Sequence, residues 1–88
     1  MTTERKLRQV AEIMTRMAGD TSIPRNIRKA ANDARDHLLK DSEEAIVKAA
    51  SAISILDDIS NDPNMPVHAR TIIWNALSVL ETIHGNDS

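Results

Sequence analysis

Apolar positions recur along this chain every three or four residues, with polar residues between them. From about Thr3 to Ala18, the side chains of Leu7, Val10, Ala11, Met14, Met17 and Ala18 share one face. That is the i, i+3, i+4, i+7 spacing of an amphipathic helix. Gly19 follows, where a left-handed C-cap is expected because glycine adopts it most easily. After the turn "DTSI", Pro24 suits the first turn of a second helix, since its missing N–H is not needed there. Ile27, Ala30, Ala31, Ala34 and Leu38 line that helix. "KDSEEA" starts a third helix, predicted from about Ser42 to Ile59, with Asp41 or Ser42 as cap and Asp41 and Glu44 at capping-box spacing. Glu43 and Glu44 then fall in its first turn, where the helix dipole favours carboxylates. Its apolar arc is broad: Ala45, Ile46, Ala49, Ala52, Ile53, Leu56 and Ile59. Pro66 opens a fourth helix, predicted to reach His84 before Gly85, with Ala69, Ile72, Ile73, Ala76, Leu77, Leu80 and Ile83 inside. The last three residues read as a frayed tail.

Sliding the chain on itself by about 42 residues aligns the two halves. Lys6 meets Lys48, Ile13 meets Ile55, Asp20 meets Asp62, Pro24 meets Pro66, Arg28 meets Arg70, Ala34 meets Ala76 and Leu38 meets Leu80. The turn residues match as well as the apolar ones, so the chain reads as a duplicated αα-hairpin, residues 3–40 and 42–84. One hairpin cannot bury its apolar face alone. Two stacked side by side would make a solenoid with little core, whereas two face to face make a four-helix bundle. The expectation is one all-α domain, residues 1–88, with up-and-down topology.

Composition agrees with helices. Aromatics are 1% of the 88 residues and the hydrophobic share is 41%, so the core rests on Ile, Leu, Val, Met and Ala. These suit close helix packing better than a sheet. With no cysteine, disulfides, thiol nucleophiles and cysteine-ligated metals are excluded. "MTTERKLRQV" has charge but no apolar run behind it, and no stretch has the length of a membrane span, so a cytoplasmic protein without signal peptide or membrane contact is expected. The net charge of −2 hides an asymmetry. Residues 1–40 carry nine Lys/Arg against five Asp/Glu, and residues 41–88 carry two against eight.

The stretches "TSIPRNIRKAA", "AISILDDISNDPNMPVHART" and "IWNALSVLETI" resemble a small archaeal family known as uncharacterised protein family 0147. The resemblance covers nearly the whole chain and is most specific from Ala52 to Ile83. It implies an all-helical domain of about this length and brings no activity, cofactor or catalytic residue.

Candidate chemistry is sparse. Asp57, Asp58, Asp62 and His68 crowd the second turn and could hold a metal or, with the arginines, an anion. However, adjacent Asp57 and Asp58 diverge by about 100° on a helix, and no Asp-x-Asp-x-Asp loop or His-Glu-x-x-His is present. Arg28 and Arg70 each follow an aspartate by eight residues. They could grip an anion, but the duplication favours a structural turn clamp of Asp20 with Arg28 and Asp62 with Arg70, through the aspartates or turn carbonyls. His37, His68 and His84 lie on separate segments, and no triad is placed by spacing. An enzyme is not expected, nor any cofactor or metal. The cations of the first hairpin could meet RNA or DNA, but acids interleave with them, no stacking aromatic lies nearby, and pairs such as Arg8 with Glu12 have ordinary helix spacing. Nucleic acid is the minority reading.

The surplus of apolar positions in the second hairpin is more informative. Trp74, Val67 and Leu77 on the fourth helix and Val47 and Ile55 on the third extend beyond one inner stripe. Such a surplus marks a partner surface, for another protein or a second copy of the chain. Trp74 either anchors that partner or caps the core with its N–H at solvent.

Overall fold

The computed structural model describes residues 2–83. It holds four helices, α1 (Thr3–Ala18), α2 (Arg25–Leu38), α3 (Ala45–Ile59) and α4 (Val67–Leu80). They form an up-and-down four-helix bundle about 37 × 20 × 20 Å. Helices adjacent in sequence are adjacent in space, α4 closes the ring on α1, and α1 and α3 approach each other across the diagonal.

The helix ends differ from expectation in four places. The Thr2 hydroxyl caps α1 by accepting the Arg5 N–H at 3.2 Å. Gly19 is right-handed, φ −90°, not left-handed; its N–H closes on Thr15 and Arg16 carbonyls at 3.2 Å, a geometry open to any residue. Pro24 and Pro66 sit at the N-caps of α2 and α4, one position before the first turn, with φ −55° and −62°. Their carbonyls accept the first intrahelical bonds, from Ile27 and Arg28 and from Arg70. The third helix starts at Ala45, not Ser42. The Asp41–Glu44 capping box does not form, and Glu44 itself is the extended N-cap. Residues 41–43 are spent on the turn linking two antiparallel neighbours, so the connection overrides the local capping signal. Helix α4 ends at Leu80, and the turn after it returns Ile83 to the core. His84 and Gly85 lie outside the described residues.

The core is aliphatic: Leu7, Val10, Met14 and Met17 from α1, Ile27, Ala31, Ala34 and Leu38 from α2, Ala49, Ala52 and Leu56 from α3, and Ala69, Ile73, Ala76, Leu77 and Leu80 from α4. Burying each large aliphatic side chain contributes about 1.5–3 kcal/mol. The copies fit by exchanging volume. Where the first copy has Leu7, Val10 and Ile27, the second has Ala49, Ala52 and Ala69; where the first has Ala31, the second has Ile73. Ile23 and Met65, equivalent residues in the two turns, plug one end.

The two-fold relation is visible in the turns that share that end. Asp20 accepts the Ser22 N–H at 2.9 Å, and Asp62 accepts the Asn64 N–H at 2.8 Å. Each aspartate also reaches the other hairpin: Asp20 to His68, Asp62 to Asn26. Ser22 and Asn64, like Asn26 and His68, are 42 apart and hence equivalent. The contacts are therefore reciprocal about a pseudo-two-fold axis, as in an isologous dimer.

Candidate functional site

The turn end of the bundle gathers most of the candidate polar groups. Arg28 and Arg70 both clamp main-chain oxygen, but at positions that do not correspond in the two copies. Arg28 Nε donates to the Ile23 carbonyl at 3.0 Å, and Arg70 Nη1 donates to the Ser60 carbonyl at 2.8 Å. The aspartates instead order the turns and tie the hairpins together. Each arginine thus directs one of its donors at the chain, as a turn clamp does.

Asp20, Ser22 and His68 do converge. Ser22 Oγ donates to Asp20 at 2.6 Å and lies 3.3 Å from His68 Nε2, while the same nitrogen lies 3.7 Å from the other oxygen of Asp20. A hydrolytic triad needs the imidazole between serine and carboxylate, one nitrogen to each. Here serine and carboxylate bond directly, and one ring nitrogen meets both. The hydrogen bonds from the Ser22 hydroxyl and Ser22 N–H, together with nearby His68, hold the Asp20 carboxyl below its ordinary value of 3.8. That makes the serine a donor to a stabilised carboxylate, the reverse of an activated nucleophile. The equivalent contact uses Asn26, which has no titrating proton, so the cluster is a hairpin latch.

Asp57 and Asp58 remain exposed on α3, apart from His68. Among the described residues no three His, Cys, Asp or Glu side chains gather as a metal-ligand set. His37 lies at the opposite end of the bundle from His68, and His84 is outside the described residues. Among the described residues, three of the nine cations of the first hairpin pair with acids: Arg8 with Glu4 at 4.0 Å, Lys29 with Asp33 at 3.3 Å and Arg35 with Asp36 at 3.2 Å. Arg8 thus turns to Glu4, one turn back, and not to the expected Glu12.

The apolar surface is the feature that stands out. Of the five exposed large hydrophobic side chains among the described residues, only Leu39 belongs to the first hairpin; Ile46, Val47, Val67 and Trp74 belong to the second. Trp74 is 57% exposed, so it does not cap the core, and Val67 is 79% exposed. Seven residues apart, they stand in one line along α4. Leu77, expected on this surface, is buried at 8% and forms part of the core. It lies on the flank of α4 between the inner stripe and Trp74, where the neighbouring helix covers it. Ile55 is likewise half-buried against the core. It cannot share a face with Trp74, because it sits two positions from Ile53, about 200° around the helix. Val47 is exposed as expected, towards the outside of α3. Sequence reasoning places Ile46 and Ile53 inside; Ile53 does pack half-buried against the core, whereas Ile46 is exposed and is the surface residue it misses. The broad arc of α3 reads as core, and its breadth is itself the signal that part of it faces outwards.

Two contacts place this surface. The groove between α1 and α4 is lined by Ile13, Arg16, Met17, Asp20, Ile72 and Asn75, so the Ile72 flank of α4 faces α1. Arg70, on the opposite flank with Leu77 and Trp74, reaches the end of α3. Trp74 and Val67 therefore border the α3–α4 seam. Ile53 and Ile46, on the other side of α3 from Ile55, form its second wall. This seam is packed less closely than that between α1 and α2. The reason is visible in the equivalent residues: Ala11 lets α1 and α2 close, whereas Ile53 in its place holds α3 and α4 apart.

Comparison with known proteins agrees with this architecture. The UPF0147 protein of Methanocaldococcus jannaschii is 52% identical over 82 residues, 93% of this chain and 88% of the relative. That of Saccharolobus solfataricus is 51% identical over 80 residues, 91% of this chain and 90% of its own length. Among solved structures, the unknown function protein MMP1188 superimposes with a TM-score of 0.87 at 49% identity, over 91% of both chains. A protein of family UPF0147 from Thermoplasma acidophilum does so with a TM-score of 0.85 at 31% identity, over 93% of this chain and 98% of that one. Matched over residues 1–83 by the family's own model, the chain belongs to the uncharacterised protein family UPF0147.

Proposed function

We propose that this protein is a small non-enzymatic interaction module that docks another protein on its second hairpin, acting in the cytoplasm. The observation that carries the reading is the exposure of Trp74 beside Val67 on a loosened α3–α4 seam, in a bundle whose other large side chains are mostly buried. A half-exposed tryptophan among aliphatic side chains is the residue type that anchors protein contacts. The turn end supports the same reading, since its polar groups are engaged in holding the two hairpins together. No helix of the described residues is long and apolar enough to cross a membrane.

The test is comparative capture from archaeal cell extract. Wild-type protein and a Val67→Arg/Trp74→Asn variant, which carries the first copy's residues at those positions, serve as baits. A partner held by the wild type and lost from the equally folded variant is expected. Identical recovery by both baits contradicts the reading.

A further inference from the structure

The charges around the seam say what kind of partner it fits. At one end of the seam stand Glu43 and Glu44, before α3, and Glu81, after α4; at the other stand Asp57 and Asp58. The second hairpin has two cations. Arg70 is committed to the Ser60 carbonyl, and Lys48 sits on the side of α3 away from Ile46 and Ile53. The apolar floor and walls are thus rimmed by carboxylates at both ends. On the outer side of α3 an open hollow of about 770 Å³ runs from Ile53 round to Ile55, past Ser54, Asp57, Asp58 and Asn61, and is lined by that helix and its turn alone.

We infer that the α3–α4 seam binds a basic amphipathic helix of a partner protein. This rests on the docking reading above and names its partner class. A groove between two antiparallel helices receives a third helix, whose apolar stripe enters at i, i+3, i+4 and i+7. It offers no open backbone edge for an added strand. Helices of 14 and 15 residues make a seam about 21 Å long, matched by about four turns of partner helix. Carboxylates at both ends select Lys and Arg on that helix, and the exposed ring of Trp74 accepts a cation over its face. A second copy fits poorly. Seam against seam brings carboxylates against carboxylates, and the basic first hairpin of another copy exposes only Leu39 as a large apolar side chain among its described residues.

The experiment uses the full chain and synthetic peptides without tryptophan, so that Trp74 is the only reporter. One peptide is a basic amphipathic helix, the second replaces its cations with acids at unchanged apolar positions, and the third scrambles the first. The basic helix is expected to bind and move Trp74 emission to the blue, with the acidic and scrambled peptides at least about tenfold weaker. Binding weakens in salt. Asp57→Asn/Asp58→Asn weakens it several-fold, and Asp33→Asn/Asp36→Asn in the first hairpin leaves it unchanged. Equal binding of the acidic or scrambled peptide overturns the inference. So does basic-peptide binding that leaves Trp74 emission unmoved, or a dimer by light scattering whose dissociation exposes Trp74. If capture still depends on Trp74 when these peptides fail, only the basic partner class is lost. If capture does not depend on Trp74, the docking reading falls as well.

Discussion

Helices α2 and α4 are the same element made twice, and they serve different ends. Both follow a proline, both carry an arginine that clamps the chain behind them, and both turn an apolar face inwards. Yet α2 meets its neighbours through Ala30, Ala31 and Ala34 and carries Arg25, Asn32 and Arg35 beyond that face. In α4 the equivalent positions hold Ile72, Ile73 and Ala76, with Val67 and Trp74 beyond and Leu77, in place of Arg35, added to the core. Small residues let α2 approach closely and leave its outer side to water. Larger ones hold α4 farther out, and an apolar margin remains at its edge. The difference teaches that one repeated hairpin serves as scaffold in both halves, and that the second copy leaves apolar side chains exposed where the first carries polar and charged ones.

The largest effects should come from breaking the volume exchange between copies. Ile73→Ala removes a fully buried side chain and should cost about 2–5 kcal/mol in chemical denaturation. Adding Ala69→Ile, which gives α4 the order of α2, should not rescue it. The added side chain enters a fully buried position on the same core as Ile27, and overpacking adds about 1–3 kcal/mol. Transposing both helices, with Ile27→Ala and Ala31→Ile as well, should recover most of the loss. If the α4 change alone restores stability, the two copies do not pack as complements.

The turn clamps come next. Arg70→Ala leaves the Ser60 carbonyl without its side-chain donor and should cost about 1–2 kcal/mol, with Arg28→Ala costing a similar amount through Ile23. A negligible cost for either would show that its bond to the main chain does not hold that turn. Trp74→Asn installs the first copy's residue on an exposed site and should change stability by no more than about 0.5 kcal/mol while removing partner binding. A strong loss of stability would return Trp74 to the core.

The smallest effect concerns the latch. The folded-state pKa of Asp20 is lowered, chiefly by Ser22, so its contribution is present above the ordinary carboxylate value and fades as pH falls through the lower folded value. Wild type should therefore melt slightly above Asp20→Asn at neutral pH, and the two curves should converge in acid below 3.8. A difference that persists in strong acid would mean that the carboxylate is not the stabilising form.

Much of this is legible in the residues. Helix spacing places the four elements, and the repeated Asp, Pro and Arg place the two turns and their clamps. Three things are hidden. The start of α3 is obscured because the capping signal of Asp41 and Glu44 competes with the length the turn requires. The clamp oxygens are ambiguous because an arginine's reach covers carboxylate and carbonyl alike. The surface read from spacing includes Leu77 and Ile55, which pack on the core, and leaves out Ile46, which is exposed. On a helix apolar over more than half its circumference, composition does not reveal which edge the neighbour covers. The cross-hairpin contacts of Asp20 and Asp62 require the two-fold arrangement in space.

The central claim is that contact with a partner falls on the second hairpin, along the α3–α4 seam. Backbone amide shifts of the full chain, recorded before and after adding the partner recovered by capture, test it most directly. The account predicts perturbations concentrated at residues 46–57 and 67–77, with the outer faces of α1 and α2 unchanged. Perturbations centred on residues 5–40 would contradict it.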